Sequence, residues 1–430
     1  MKILDINALQ ILDSRANPAI QVEVLLIDGS KGVFAVPSGA SKGIHEAHEL
    51  RDENKNIYFG KGVEKAIENI HSVKNQLVDI DLTQRTLDEL LIKLDGTENK
   101  SAIGANAILG ISCAFAKALA MSKSLPLHKY LNSLIDKDLK LNSNLNPNAS
   151  PHLFANIING GLHSGNGLKI QEFMIVPHLE SLQLNVRAIS EIYNELKNII
   201  KSKYGSSQTA LGDEGGFAPE IDSPTDALDL ITLAISNANY DGDVKIALDC
   251  AASDFYDKKT KKYEVEPGLF LNYKDLSKYY EELINKYPII SIEDPMAEDD
   301  FDGFAYFTKT ISKIEITNPI SNEKSILVVG DDLTVTNSKR IDECIKKKLC
   351  NSLLLKINQI GTLTESINAF EMVSKKGWQT IVSHRSGETT DSLISDLAVA
   401  MTSSIKLGAP ARGERVAKYN RLLEIFSESN

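Results

Sequence analysis

The sequence predicts an α/β protein in which a parallel (β/α) barrel follows a smaller α+β domain. Five apolar runs in the second half each end in a polar residue: Ile246-Ala247-Leu248-Asp249, Ile289-Ile290-Ser291-Ile292-Glu293, Leu327-Val328-Val329-Gly330-Asp331, Leu353-Leu354-Leu355-Lys356 and Thr380-Ile381-Val382-Ser383-His384. Strands covered on both faces read as such runs, and the segments between them are long enough for crossover helices. Residues 1–36 instead alternate in the manner of an antiparallel sheet. Between the two regimes, residues 133–151 accumulate Asn and Ser, and Pro147 and Pro151 interrupt any helix. At 430 residues the chain is also long for a single core.

In the first domain, Ile20, Val22, Val24 and Leu26 share one strand face, and Asp28-Gly29 marks a hairpin turn. Helical patterns run from about Gly62 to Leu94. The small-residue stretch from Ala102 to Ala120 predicts a buried helix packed closely on a neighbour, with Pro126 after its end. The expected division is residues 1–138 for this domain and 150–430 for the barrel, which begins at the apolar turn of the chain near Leu153. Thr317 to Ser325 reads as a surface loop.

A hydrophobic content of 42% with 24% charged residues describes a soluble globular chain. The net charge of −11 argues against direct nucleic-acid binding and against an anionic membrane surface. Cys113, Cys250, Cys344 and Cys350 lack paired metal spacing and read as reduced thiols. The N-terminus has no apolar signal core and no apolar run approaches spanning length, so the expected location is cytoplasmic.

In a (β/α) barrel the active site forms where the strands end. Here those ends supply Asp249, Glu293, Asp331, Lys356 and His384. One aspartate at a strand end usually caps a helix; three carboxylates at one mouth repel each other unless a cation sits among them. Hard oxygen donors suit Mg²⁺. Asp332 competes with Asp331, but adjacent strand residues face opposite ways. Lys356 alone would read as a snorkelling lysine; beside metal ions its pKa falls and it can take a proton from carbon. Glu214, in the turn-rich Gly212-Asp213-Glu214-Gly215-Gly216-Phe217-Ala218-Pro219, is either an exposed loop acid or a general acid. Gln171 and Glu172 interrupt the strand-like Lys169 to Pro177 and need a reason for being there. Arg385 and Ser386 suit a phosphate or carboxylate clamp. Lys406 lies in a basic stretch with Arg412 and Arg415. Two small-residue loops, 37–43 and 160–167, suit lids.

Together these pieces resemble the enolase family over almost the whole chain, from Leu12-Asp13-Ser14-Arg15 to Tyr419-Asn420-Arg421-Leu422-Leu423. The most specific are Gln171-Glu172-Phe173-Met174, Gly212 to Pro219, Ser291-Ile292-Glu293-Asp294-Pro295, Gly330 to Asn337, Lys356 to Thr362 and Ser383 to Thr389. The resemblance implies a (β/α)8-type barrel with an irregular ββαα start. It implies reversible dehydration of 2-phosphoglycerate to phosphoenolpyruvate in glycolysis and gluconeogenesis. It implies Mg²⁺ on Asp249, Glu293 and Asp331, and a second Mg²⁺ that arrives with substrate and touches Ser41. Lys356 would remove the C2 proton, giving an enolate stabilised by both metals, the pattern known for this superfamily. Glu214, its pKa raised by neighbouring acids, would protonate the leaving hydroxyl, with Glu172 assisting. Arg385 and Ser386 would hold the phosphate, and His163, Gln171, His384 and Lys406 would complete the shell.

The sequence departs from the family pattern in places. Lys42 stands where threonine is usual in the first lid, and Leu162 and Asn166 replace small residues in the second. The stretch from Arg385 to Lys406 is one residue short. The family's homodimer uses cross-subunit charges where this chain has Leu9, Gln21 and Glu424, which implies a dimer that is weaker or stabilised differently. One rival reading is another enzyme of the same superfamily, such as a cycloisomerase or racemase acting on a non-phosphorylated acid, against which Arg385 with Ser386 and the Glu214 loop argue. The other is a binding protein that is non-catalytic or has a second role, at a cell surface, secreted, or in an RNA-degrading assembly; the terminal Ser429-Asn430 lacks the lysine associated with plasminogen binding.

Overall fold

The computed structural model describes residues 1–39, 43–136, 139, 150–320 and 324–427. Ser41 and Lys42, most of the linker before residue 150, part of the 317–325 loop and the terminal Ser429-Asn430 lie outside the described residues.

The chain opens with an antiparallel sheet of β1 (Ile3–Leu12), β2 (Pro18–Leu26) and β3 (Lys31–Ala35). Ile20, Val22, Val24 and Leu26 are all buried, as the alternation predicts. They face α3 (Ala105–Ser122), which follows α1 (Glu64–Lys74) and α2 (Gln84–Asp95) and precedes α4 (Leu127–Leu134). The small residues have a steric cause. A Cβ at Gly110 would lie 2.4 Å from Val22 Cγ2, and one at Gly32 would lie 2.0 Å from the Ala114 carbonyl oxygen. By length and composition α3 could cross a membrane, but it is mostly buried inside the protein as a core helix.

The second part is a closed eight-stranded barrel. It opens with β4 (Leu153–Asn159), β5 (Glu172–Pro177), α5 (Leu182–Tyr204) and α6 (Pro224–Asn237), the ββαα start. After β6 (Val244–Asp249) comes a small sheet that the sequence did not announce: β7 (Tyr256–Asp257), β8 (Lys262–Glu266) and β9 (Leu269–Leu271). Helix α7 (Tyr273–Lys286), β10 (Ile289–Glu293), α8 (Phe301–Ile311), β11 (Leu327–Gly330), α9 (Ser338–Lys347) and β12 (Ser352–Leu355) continue the alternation. The rest is α10 (Ile357–Ile360), α11 (Leu363–Ser374), β13 (Gln379–Ser383), α12 (Leu393–Ala400), β14 (Ser404–Lys406) and α13 (Gly413–Ser427). Strand β5 runs antiparallel to both neighbours; every other barrel pair is parallel, and β14 closes onto β4.

Phe154, Met174, Val176, Ala247, Ile290, Leu327, Val329, Leu354 and Ile381 fill the barrel interior. That apolar plug leaves only the strand ends for polar groups. Three of those ends turn sharply: Ala251, Asp294, Val335 and Thr336 have φ of 43°, 39°, 43° and 55°. Non-glycine residues held there cost energy and gather at functional sites. The two parts are stitched together by α2, where buried Asp88 accepts hydrogen bonds from the Thr364 N–H (2.9 Å) and hydroxyl at the start of α11.

Candidate active site

One cleft of about 270 Å³ is lined by His163, Gln171, Glu172, Glu214, Lys356, His384, Arg385, Ser386 and Lys406, with Gly39 and Ser383 beside them. Strand register explains the convergence: Glu172 lies opposite Asp249, Asp249 opposite Glu293, and Lys406 opposite Ser383. Lys406 is 2% exposed and sits at the centre of the carboxylates. Its Nζ is 3.0 Å from Asp249 Oδ2, 2.9 Å from Glu293 Oε2 and 3.1 Å from Glu172 Oε1. The short spacing before Lys406 therefore does not keep it from the cleft.

Asp331 pairs with the Lys356 ammonium and accepts from Gln359 Nε2 at 2.8 Å. The Asp294 carboxylate accepts from the backbone N–H groups of Asp331 (3.0 Å) and Asp332 (2.7 Å) and so fixes the turn. Asp294, Asp331 and Asp332 form one tight set of oxygens; His163, Glu172 and Glu214 form the other among the described residues. Asp332 thus stays near Asp331 instead of turning fully away. Cys250 does turn away from Asp249, toward Tyr280 of α7.

Asp249, Glu293 and Asp331 are buried hard-oxygen donors. Burial, and then the charge of Asp249, pushes the Glu293 carboxyl well above the usual range. Lys406 Nζ supplies the cationic charge against Asp249 and Glu293, while the tight oxygen set that holds Asp331 contains Asp294 and Asp332, not Asp249 or Glu293. This donor chemistry fits Mg²⁺.

One electrostatic expectation, for Glu214, is corrected, and the other, for Lys356, concerns the metal-loaded site. Burial pulls the Lys356 ammonium down, but Asp331 outweighs it and the pKa is raised. The expected lowering draws on charge from metal ions, whereas in the protein alone the adjacent carboxylate decides. Among the acids, it is Glu172 that is pushed well above the carboxylate range, by burial and then by Glu214. Burial would raise Glu214 too, but His384, His163 and Arg415 hold it well below that range. Two buried carboxyls sharing one environment do not both ionise freely, so the proton belongs to the pair.

Several contributing residues escaped the sequence reading. Glu46 holds Arg385 bidentately, Oε1 to Nη2 at 3.1 Å and Oε2 to Nη1 at 3.2 Å. Nothing local distinguishes Glu46 from a surface acid. Asn156 donates to Glu214 Oε2 at 3.0 Å; a polar residue inside the apolar β4 was the available signal. Arg415 was read only as a basic neighbour of Lys406.

Residues 148–429 match the family described as Enolase, C-terminal TIM barrel domain, and residues 3–131 match Enolase, N-terminal domain. The chain belongs to the enolase family. It is 47% identical over 431 residues to an enolase of Methanocaldococcus jannaschii, covering 99% of this chain and 95% of that one. It is 46% identical over 430 residues to an enolase of Methanococcus aeolicus, with the same coverage. Enolases are magnesium-dependent hydro-lyases of glycolysis that interconvert 2-phosphoglycerate and phosphoenolpyruvate, and this is the reaction for which the chain is built.

Proposed function

We propose that Lys356 is the base and that the Glu172–Glu214 pair supplies the acid in the enolase reaction of this chain. The observation that carries the reading is the convergence of both groups on one cleft with Arg385, Ser386 and Lys406. The Arg385 fork and Ser386 would bind the phosphate, where Glu46 now engages the guanidinium. Lys356, at the end of β12, would take the C2 proton on Nζ. Glu214, backed by Asn156 and with Glu172 beside it, would deliver a proton to the C3 oxygen. His163, Gln171 and His384 would complete the wall, and Lys406 would face the substrate carboxylate. Asp249, Glu293 and Asp331 would hold one Mg²⁺, and a second would arrive with substrate and reach Ser41. Bound magnesium supplies positive charge against the carboxylate as it gains electron density. Nothing in the site favours a non-catalytic reading.

The deciding experiment adds protein to 2-phosphoglycerate and follows the ultraviolet absorbance of the enol phosphate. A rise with Mg²⁺ that EDTA stops and Lys356→Ala abolishes supports the assignment; no rise with Mg²⁺ bound overturns it.

We further propose a cytoplasmic protein, since four buried free thiols suit a reducing compartment. The dimer is proposed to be weak. Leu9 is half exposed on β1, and Glu424 pairs with Arg421 of its own helix at 3.2 Å. Sedimentation over a dilution series should show dissociation; a dimer intact at nanomolar protein would refute the weakening.

A further inference from the structure

Arg415 and His384 meet in a way that decides which imidazole nitrogen carries the proton. Arg415 lies in the first turn of α13 and is 0% exposed. Its four η hydrogens have four acceptors. Nη1 faces His384 Nδ1 at 3.0 Å and donates to the Arg385 carbonyl at 2.6 Å. Nη2 donates to the carbonyls of Ser386 at 2.7 Å and Asp213 at 3.3 Å. A guanidinium offers donors only and keeps its charge in proteins. The Nδ1 facing it must therefore be the accepting nitrogen, without a proton. A neutral imidazole then carries its one proton on Nε2.

The other side of the ring is equally defined. His384 Nε2 is buried, and among the described residues it faces Glu214 Oε1 at 3.4 Å in the wall of the cleft. A second ring proton would point from Nδ1 into a guanidinium. Burial is the larger force against an imidazolium, and although Glu214 favours one, the pKa is held at about 4. The same arginine binds carbonyls in both loops that carry these groups, so ring, loop and acid are aligned together.

We propose that Arg415 is a positioning residue that locks His384 in the Nε2–H tautomer, so that the histidine serves as a hydrogen-bond donor toward Glu214 and the departing oxygen, not as a base. The use of that donor rests on the enolase reading; the tautomer does not.

The test is long-range ¹H–¹⁵N correlation of the imidazoles in histidine-labelled full-length protein at neutral pH, with His384 assigned by its loss in His384→Gln. The Nε2–H form is expected in the wild type. The Nδ1–H form or an imidazolium would overturn the proposal. In Arg415→Met the ring should distribute between tautomers and kcat should fall about 10²-fold, the scale of one acid–base contribution. Arg415→Lys, which restores a donor to Nδ1, should keep the Nε2–H form and recover part of kcat. An unchanged tautomer in Arg415→Met would refute the lock. If that variant does not fold, the wild-type and Arg415→Lys spectra decide. Wild-type protein showing the Nε2–H form without turnover of 2-phosphoglycerate would separate failure of the enolase reading from failure of this one.

Discussion

Lys356 and Glu214 act at opposite ends of one substrate, and their variants should fail differently. Lys356→Ala should lose both dehydration and exchange of the C2 hydrogen with solvent, by at least about 10²-fold. Glu214→Gln should lose dehydration to a similar extent and retain C2 exchange, because the base is untouched. Exchange of deuterium into recovered 2-phosphoglycerate distinguishes them, and equal loss of both signals in Glu214→Gln would contradict the division of labour. At this scale Lys356 was legible because a lysine at the end of an apolar strand is conspicuous, whereas Glu214, in a turn-rich loop, was singled out from a loop acid only by the family resemblance. Their protonation was not legible. Whether Glu172 or Glu214 carries the proton depends on His163, His384 and Arg415, which come from distant parts of the chain. Glu46, which reaches Arg385 across 339 positions of sequence, is invisible for the same reason.

Among the elements, α13 is held to the loop after β13 by a buried pair, Lys418 Nζ to Glu388 Oε2 at 2.8 Å. Burial disfavours the Glu388 anion, but Lys418 and Arg415 more than offset it and depress its pKa below the ordinary 4.5. A depressed carboxyl contributes stability above its unfolded-state pKa, and that contribution is lost as pH falls through the folded value. Melting temperature should therefore drop as pH goes below about 4.5, and Glu388→Gln should flatten that slope. The variant leaves Lys418 buried without its counter-charge and should cost about 3–5 kcal/mol, measured by denaturant unfolding; a loss below about 1 kcal/mol would mean the site repacks. Asp88 serves a comparable stitch at α11, and Asp88→Ala should cost about 1–3 kcal/mol through the unpaired Thr364 donors. The apolar runs announced β6, β10, β11, β12 and β13, because burial on both faces leaves a plain signature. The antiparallel direction of β5 had none: its composition is that of its neighbours, and only the resemblance suggested the ββαα start.

For the whole molecule, a cation that binds only the folded barrel must raise its stability by mass action. Mg²⁺ at 100 times its dissociation constant should add about 2.7 kcal/mol, read as a higher melting temperature that EDTA reverses; no shift would argue against a site at Asp249, Glu293 and Asp331. The barrel's closure has a further consequence for how the protein is made. Lys406, which lies among the central carboxylates, belongs to the last strand, and that strand pairs back to Leu153 and Phe154. A chain leaving the ribosome extends N-terminus first at about 5–20 residues per second. Until Lys406 is made, it therefore presents Asp249, Glu172 and Glu293 without the lysine that belongs among them. The acidic mouth gains its central charge only when β14 closes the barrel onto β4.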